Sequence, residues 1–176
     1  MKRIYYKSIL QKGNIYHLEE KQYNHLIKVI RLNIDEQINL FNEENGEWLA
    51  KIIDIKKNTL IVKVLEQSMP PKIVPDISLL FSPIKYLNSE SVVRQSTEIG
   101  IKNLYPTKFQ RTVVSKINLL KFEAYSVGAA QQSGRLSLPA ILQIEKLTNQ
   151  KKLLQSSNVL MFDENLKGIS IDDVPK

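Results

Sequence analysis

The chain has 176 residues, 43% of them hydrophobic, which is enough to bury a core as one medium domain or two small ones. It lacks cysteine, which excludes disulfides, thiolate catalysis and cysteine-rich zinc sites, and two histidines predict no metal site. Its 25 basic and 18 acidic residues give a formal charge of +7. No apolar run approaches the roughly 20 residues of a membrane-spanning helix, so we expect a soluble, cytoplasmic protein with no membrane partner.

The positive charge is concentrated in the middle of the chain. Residues 82–135 carry eight Lys or Arg against three Glu, a net charge of +5, whereas residues 160–176 carry two Lys against four acidic residues, a net charge of −2. Polyanions are the usual partners of such basic stretches, so the distribution favours RNA or DNA binding. A solvated surface without a partner would explain it as well.

A helix is predicted at 20–32, because four apolar residues there repeat at the spacing of one helix face: Tyr23, Leu26, Ile27 and Ile30. The other side of this helix carries Lys28 and Arg31. His25 is expected to be a surface or half-buried polar residue.

Strands are predicted around this helix, at 3–6, 37–41, 47–55 and 59–66. Asn45-Gly46 is a strong hairpin signal between the second and third of them. Such a meander is suited to closing as a small barrel. Trp48 could stack on a base, but barrel core is the favoured interpretation.

Three prolines within 69–75 indicate a linker. Beyond it, strands and helices alternate, which predicts an α/β layer with a mostly parallel sheet. The predicted strands are 76–82, 102–106, 111–114 and 158–164. Three helices are predicted: one that begins near residue 88, one at 118–132 and one at 146–155. The strand at 76–82 is almost continuously apolar, as in a sheet covered on both faces.

The helix that begins near residue 88 has Asn88 or Ser89 as its predicted N-cap. Its inward side chains are predicted to be Val92, Val93, Ser96 and Ile99. Supportive pairs at i, i+4 spacing are Glu90–Arg94 and Arg94–Glu98.

Familiar glycine-loop motifs are absent from the sequence. The six glycines never fall closer than six residues apart, which excludes a P-loop and a G-x-G-x-x-G dinucleotide fingerprint. G-x-S-x-G and H-E-x-x-H are absent too.

The predicted helix at 118–132 ends in a polar stretch with Gln132, Gly134 and Arg135. Two interpretations stay open. Gly134 could supply the left-handed cap of the helix while Arg135 meets the carbonyl ends. Alternatively, the stretch could be a polar tip placed for a ligand.

Four segments resemble the family of ribosomal RNA small subunit methyltransferase E, in the family's order: NHLIKVIRLNIDEQINLFNEENGEWLAKI, LLFSPIKYLNSESVVRQSTEIGI, YPTKFQRTVV and AAQQSGRLSLPAI. The resemblance implies an α/β fold (α+β overall), with a PUA-like β-barrel that helps to hold RNA at 1–71 and a SPOUT-type α/β methyltransferase domain at 72–176. It also implies S-adenosylmethionine as cofactor, methylation of N3 of a uridine in small-subunit ribosomal RNA, and a homodimer.

The sequence departs from the family pattern in three places. Gly128 and Gln131 stand where the family has glutamates, and Gln95-Ser96 stand in place of Lys-Ala. The chain also ends before the glycine-rich loop and the later segment that form the family's knot and most of its cofactor pocket. We therefore expect a truncated member. A non-catalytic RNA-binding remnant and a poorly folding remnant are the alternatives.

Roles for individual residues follow from the resemblance. N3 lies on the pairing edge of uracil, so the base must be unpaired or flipped, and a cation near its carbonyl oxygens would stabilise the anion that forms. This implies a catalytic role for Arg135, with Gln132 beside it. Glu98 could act as a base or orient an arginine, although an intrahelical pair with Arg94 is equally economical.

The resemblance also implies cofactor contacts from Phe162, Asp163 and Glu164. Predicted RNA contacts come from Arg3, Lys28, Arg31, Lys85, Arg111 and Gln132. Phosphate contacts of this kind position RNA without reading its sequence. For Lys28 and Arg31, a merely solvated polar face is the alternative.

Overall fold

The computed structural model describes residues 2–84 and 87–162, which form two sheets with their helices. The strands are β1 (Lys2–Tyr5), β2 (Ile15–Glu19), β3 (Gln37–Asn42), β4 (Gly46–Lys56), β5 (Thr59–Met69), β6 (Ser78–Phe81), β7 (Asn103–Lys108), β8 (Ala140–Ile141) and β9 (Glu145–Lys146). The α-helices are α1 (Glu20–Tyr23), α2 (Leu87–Ile99), α3 (Leu119–Ser133) and α4 (Lys151–Gln155). A π-helix (Asn24–Val29) continues α1, and a 3₁₀-helix (Leu147–Gln150) precedes α4. No helix in these described ranges is long and apolar enough to cross a bilayer.

Residues 2–69 form a curled five-stranded sheet, here called the half-barrel. Its strand order is β1-β3-β4-β5-β2, with β1 parallel to β3 and the other pairs antiparallel. Three register shifts between β4 and β5 bend these long strands. β1 and β2 stand at the two ends of this strand order, so the predicted barrel is present as a curled, half-closed sheet. β2 was missed by sequence reasoning because Leu18 is its one fully buried residue.

The helix predicted at 20–32 is shorter and partly π-helical. Leu26 is fully buried and Tyr23, Ile27 and Ile30 pack against the half-barrel core, which confirms the predicted apolar face. The π-helix ends before Arg31, whose φ of 63° breaks the helical geometry.

Residues 78–155 form the α/β unit, in which β6, β7, β8 and β9 are all parallel, as predicted. Its core is a small cluster of Val93, Leu104 and Phe122, against which Leu79 and Phe81 of β6 pack. All four β6 residues are half-buried, so both faces of this strand are covered, but only in part.

Helix α2 starts at Leu87, close to the predicted position, but its buried stripe differs from the predicted one. Ser89, Val93, Ser96 and Thr97 are buried, whereas Ile99 is 68% exposed. Ile99 lies six residues after Val93, about 120° around the helix, and therefore leaves the stripe. Ser89 bonds the main chain of Ile84 through its hydroxyl and so anchors the preceding loop, whereas an N-cap would bond the helix's own amides.

Two predicted strands are wrong within the described residues. Segment 111–114 begins in a turn, because the Thr112 hydroxyl accepts from the Phe109 amide at 2.9 Å and bonds the Ser82 hydroxyl at 2.8 Å. Residues 158–162 are exposed and irregular, and Asp163 and Glu164 lie outside the described residues. The predicted helix at 146–155 is confirmed in the main, as the 3₁₀-helix followed by α4.

A third apolar cluster joins the half-barrel to the α/β unit. Phe41 of β3 packs with Ala130 of α3 and with Leu136, and all three are buried. Tyr5, Met69 and Leu138 cover this cluster. The end of α3 is therefore packed against the half-barrel.

Candidate functional site

Helix α3 ends at the boundary between the half-barrel and the α/β unit. The Asn118 side chain caps its start by accepting from the Lys121 amide at 3.1 Å. Gly134 follows its last residue with φ 82°, the left-handed conformation that glycine adopts freely. The cap interpretation of Gly134 is confirmed. Residues 131–135 are called the α3 tip below.

Arg135 is fixed at the junction of α2 and α3. Its Nε donates to the Glu98 carbonyl at 2.7 Å. The guanidinium lies on Gly100, where an added Cβ would come within 2.8 Å of Nη1. Arg135 thus meets the carbonyl end of α2, where the helix dipole favours a cation, and not that of its own helix. Its side chain is half-buried.

Glu98 contributes its backbone carbonyl to this junction, while the residue itself is exposed. Arg94 bonds Glu90 at 3.0 Å, so of the two helical pairs that the sequence suggests, the structure forms Glu90–Arg94. The structure therefore brings Glu98 and Arg135 together through the main chain.

Arg3 does not stand free on the surface. Its Nε donates to the Glu47 carboxylate at 2.7 Å, and its Nη groups donate to the carbonyls of Ala130 at 2.7 Å and Arg135 at 3.1 Å. The side chains of Arg3 and Glu47 are 13% and 7% exposed. These protein partners occupy the donors that an RNA phosphate would need, so the placement argues against the predicted RNA contact.

An open groove of about 790 Å³ runs between β1 and α3. Its walls come from the half-barrel on one side and from α3 on the other: Tyr5, Tyr6, Lys7, Gln22, His25, Leu120, Glu123, Val127, Gly128 and Gln131. Burial, and then the charge of Glu43, raises the pKa of the Tyr5 hydroxyl above its usual range. His25 is exposed, as expected.

A second, basic cleft of about 790 Å³ lies at the carboxyl ends of β7 and β9. Lys108, Arg111 and Lys146 line it together with Phe109 and Leu147. Lys108 and Lys146 are register partners on parallel strands, so two like charges stand side by side. Open α/β sheets bind ligands at this edge. Sequence reasoning found Arg111 but missed both lysines, because β7 was predicted to end at 106 and β9 was not predicted.

The remaining predicted residues are dispersed. Lys28 and Arg31 are exposed on the half-barrel, Gln132 is exposed on the α3 tip, and Phe162 is 85% exposed. Lys85 lies outside the described residues, as Asp163 and Glu164 do.

Trp48 packs against the half-barrel core and donates from Nε1 to the Asn45 carbonyl at 2.8 Å, which confirms the core interpretation. In the part of the chain that the structure describes, no three His, Asp or Glu residues are grouped to hold a metal ion.

The fold is an α/β protein with an N-terminal curled sheet, and its basic cleft is the kind of positive patch that nucleic-acid-binding proteins present. Comparison with family models gives the family. Residues 18–65 match the RNA methyltransferase PUA domain, and residues 71–174 match the RNA methyltransferase domain. The chain therefore belongs to this RNA methyltransferase family, which confirms the resemblance seen in the sequence.

Two curated relatives share the name ribosomal RNA small subunit methyltransferase E. The chain is 30% identical over 164 residues to that of Rickettsia conorii, covering 93% of this chain and 66% of the relative. It is 27% identical over 146 residues to that of Buchnera aphidicola subsp. Acyrthosiphon pisum, covering 79% and 58%. The chain thus spans less than two thirds of the length of each.

Solved structures show the same fold. A Legionella pneumophila structure, described as a methyltransferase in complex with the bound cofactor SAM, is 28% identical with a TM-score of 0.75, covering 85% of this chain and 65% of that one. Ribosomal RNA small subunit methyltransferase E from Neisseria gonorrhoeae, bound to S-adenosyl methionine, has a TM-score of 0.78 at 22% identity, covering 90% and 66%. The expected fold, α/β with an N-terminal PUA-like sheet, is confirmed.

Proposed function

We propose that this chain methylates small-subunit ribosomal RNA with S-adenosylmethionine, at N3 of a uridine. Family membership, the names of the relatives and the cofactor bound to the Legionella protein support this. One observation about the chain itself carries the proposal. Arg135 donates from Nε to the Glu98 carbonyl, and because the guanidinium is planar, this bond fixes the position of its two Nη groups at the end of the α3 tip.

The proposed chemistry needs a positioned cation. When bound, S-adenosylmethionine would supply an electrophilic methyl group to N3, with cleavage of the methyl–sulfur bond and S-adenosylhomocysteine as the leaving group. The N3 proton of the uracil must leave, and negative charge then spreads onto the carbonyl oxygens at C2 and C4. The Nη donors of Arg135 and the amide of Gln132 would stabilise that charge, and Glu98 is the proposed base.

The cofactor is proposed to lie against Phe162, Asp163 and Glu164. Phe162 is 85% exposed, and an exposed aromatic ring suits stacking on adenine. By residue type, the two carboxylates suit ribose hydroxyls and the positive sulfonium. Calorimetric titration with S-adenosylmethionine tests this: we expect micromolar binding, and absence of heat up to millimolar cofactor would reject catalysis by this chain alone.

RNA phosphates are proposed to occupy the basic cleft. Lys108 and Lys146 repel each other across the strand pair, and a phosphate bound between them would attract both and offset this repulsion. Arg111 adds a third cation at the same edge, and Lys28, Arg31 and Lys85 would contact the backbone elsewhere. We propose residues 1–71 as the RNA-binding domain and 72–176 as the SPOUT-type methyltransferase domain.

The salt dependence of binding to a small-subunit RNA fragment tests the cleft. The slope of log K against log salt is negative, and each lost phosphate contact makes it less steep by about 0.7 for a single strand. We expect this change for Lys108→Ala and Lys146→Ala, and no change for Lys72→Ala, an exposed lysine of the linker outside the proposed RNA-binding domain. If all three variants keep the wild-type slope, the cleft is not an RNA phosphate site. Salt-sensitive binding without methyl transfer would favour the non-catalytic RNA-binding alternative.

We also propose a homodimer that works in the cytoplasm. Ile99 and Leu120 are 68% and 78% exposed, and apolar side chains left open in this way favour a subunit contact. Light scattering should give twice the 20.3 kDa chain mass. A monomer at micromolar concentration would contradict the dimer.

A further inference from the structure

We propose that Arg3 is a positioning residue that fixes the α3 tip to the half-barrel, so that RNA held by the half-barrel meets Arg135 in a defined place. The effect on RNA and on methyl transfer rests on the proposed function, whereas the anchoring of the tip does not. Its structural basis is a set of contacts between residues more than 120 positions apart in the sequence.

The guanidinium of Arg3 bridges the two parts of the molecule. On the half-barrel it bonds the Glu47 carboxylate through Nε and Nη2, both at 2.7 Å, and its Cζ lies 4.3 Å from the centroid of the Phe41 ring. On the α3 tip its Nη groups donate to the carbonyls of Gln131 at 3.4 Å and Arg135 at 3.1 Å. A third carbonyl, of Ala130, accepts at 2.7 Å.

These contacts lie where solvent screens little. Arg3 and Glu47 are nearly buried, and the Asn39 amide donates to the other oxygen of Glu47. The last carbonyls of a helix have no partner within the helix and carry the negative end of its dipole. Arg3 therefore satisfies acceptors that would otherwise need water, and a charge-assisted fork does so with fixed geometry.

The tip is anchored from both sides. Arg3 holds its backbone from the half-barrel, and the Glu98 carbonyl holds the Arg135 side chain from α2. Because the Arg3 acceptors on the tip are backbone carbonyls, the contact sets the position of the chain itself. Without Arg3, the tip would keep the apolar cluster of Phe41 with Ala130 and Leu136 and the hydrogen bond from the Tyr5 amide to Gln131 Oε1 at 3.3 Å, but it would lose its charge-assisted contacts with the half-barrel.

The test uses the full chain and four variants: Arg3→Lys, Arg3→Ala, Glu47→Gln and Lys2→Ala. Arg3→Lys keeps a cation beside Glu47 but cannot reach several carbonyls at once, since an ammonium is a point charge on a flexible stem. Arg3→Ala removes the bridge, and Lys2→Ala is the matched control, the neighbouring exposed cation on β1. Backbone amide NMR shifts are compared for the α3 tip and for β5, together with RNA affinity and the kcat and KM of methyl transfer.

We expect the amides of Gly134 and Arg135 to shift in Arg3→Lys, while the amides of β5, a strand to which Arg3 makes none of these bonds, keep their wild-type shifts. RNA affinity should stay near that of the wild type while kcat falls by up to about 10²-fold, the effect of a displacement of about 1 Å. A purely structural role would lower stability and leave the kcat of the folded protein unchanged. Lys2→Ala should match the wild type in every readout.

If the backbone amide shifts of the α3 tip in Arg3→Lys equal those of the wild type, the inference is overturned. If Arg3→Ala fails to fold, the inference is tested with Arg3→Lys and Glu47→Gln. Each of these variants weakens the contact between Arg3 and Glu47 but keeps a polar side chain at both positions. Should the tip move in these variants while the wild type neither binds RNA nor transfers methyl, the anchoring role stands and the proposed function fails.

Discussion

The half-barrel buries its apolar side chains far more completely than the α/β unit does. Eleven buried residues form the half-barrel cluster, among them Leu18, Leu26 and Leu40, each fully inaccessible. The cluster of the described α/β unit has three: Val93, Leu104 and Phe122. Every residue of β6 is only half-buried. By this measure the half-barrel is the better-packed part of the described molecule, and the α/β unit is the less well packed part.

The α3 tip packs against the half-barrel, the better-packed of the two regions. Phe41 is fully buried, and it covers Ala130 and Leu136 on either side of the tip. A site built on a rigid element is held more precisely than one on a loop. The better-packed region thus supplies the reference frame for Arg135, although that residue belongs to the α/β unit.

The largest effect is expected from truncating matched leucines in the two cores. Leu40 and Leu104 are both fully buried, so the same methyl groups are lost in Leu40→Ala and Leu104→Ala. The loss should be about 4–5 kcal/mol of unfolding free energy for Leu40, and about 3 kcal/mol for Leu104, because a loosely packed site collapses into the cavity more easily. Urea denaturation followed by circular dichroism measures both. Equal losses would mean that the α/β core is packed as tightly as the half-barrel.

A smaller effect separates two glycines of the half-barrel. Gly46 and Gly13 both have positive φ, 76° and 84°. An added Cβ at Gly46 would come within 2.1 Å of the Met69 carbonyl oxygen, whereas at Gly13 it would meet nothing within 4 Å.

Gly13→Ala should therefore cost about 1 kcal/mol, from the left-handed backbone alone. Gly46→Ala should cost roughly 1–3 kcal/mol more, because the start of the linker must shift. Thermal unfolding of the two variants measures the difference. If both melt alike, the linker is not held against the 42–46 turn.

The smallest effect concerns pH at the boundary between the two regions. The pKa of Tyr5 is raised by burial and then by Glu43, which accepts from its hydroxyl at 3.2 Å. A folded-state pKa above the unfolded value of about 10 means that stability is fully present below pH 10 and falls as the pH rises above it. Tyr5→Phe should flatten this alkaline loss, and Glu43→Gln should reduce it in part. Unfolding free energies from pH 8 to 11 check both variants, and an unchanged slope in Tyr5→Phe would assign the loss to other groups.

Local signals in the sequence predicted the elements that local interactions define. Gly134 ends α3 as the left-handed cap that its residue type indicated, whereas the Asn118 cap was missed because residue 118 was placed inside the predicted helix. The parallel sheet followed from alternation. Segment 111–114 failed because its β-branched residues favour a strand, while the Thr112 hydroxyl forms a turn with Phe109.

The candidate site was less predictable, because long-range contacts decide it. Arg3 resembles any basic residue near a chain terminus until the fold brings it to the Ala130 carbonyl, 127 positions away. The register of Lys108 with Lys146 likewise depends on strand pairing. The predicted RNA and catalytic roles of Arg111, Gln132 and Glu98 stay predictions.

Incubation of this chain with small-subunit ribosomal RNA and labelled S-adenosylmethionine tests the central claim most directly. Mass spectrometry of the digested RNA should show methyl label on N3 of uridine. In Arg135→Ala the rate should fall about 10²–10³-fold, the effect of losing one charge-stabilising donor. Label on another atom of the RNA, or an undiminished rate in Arg135→Ala, would contradict the account.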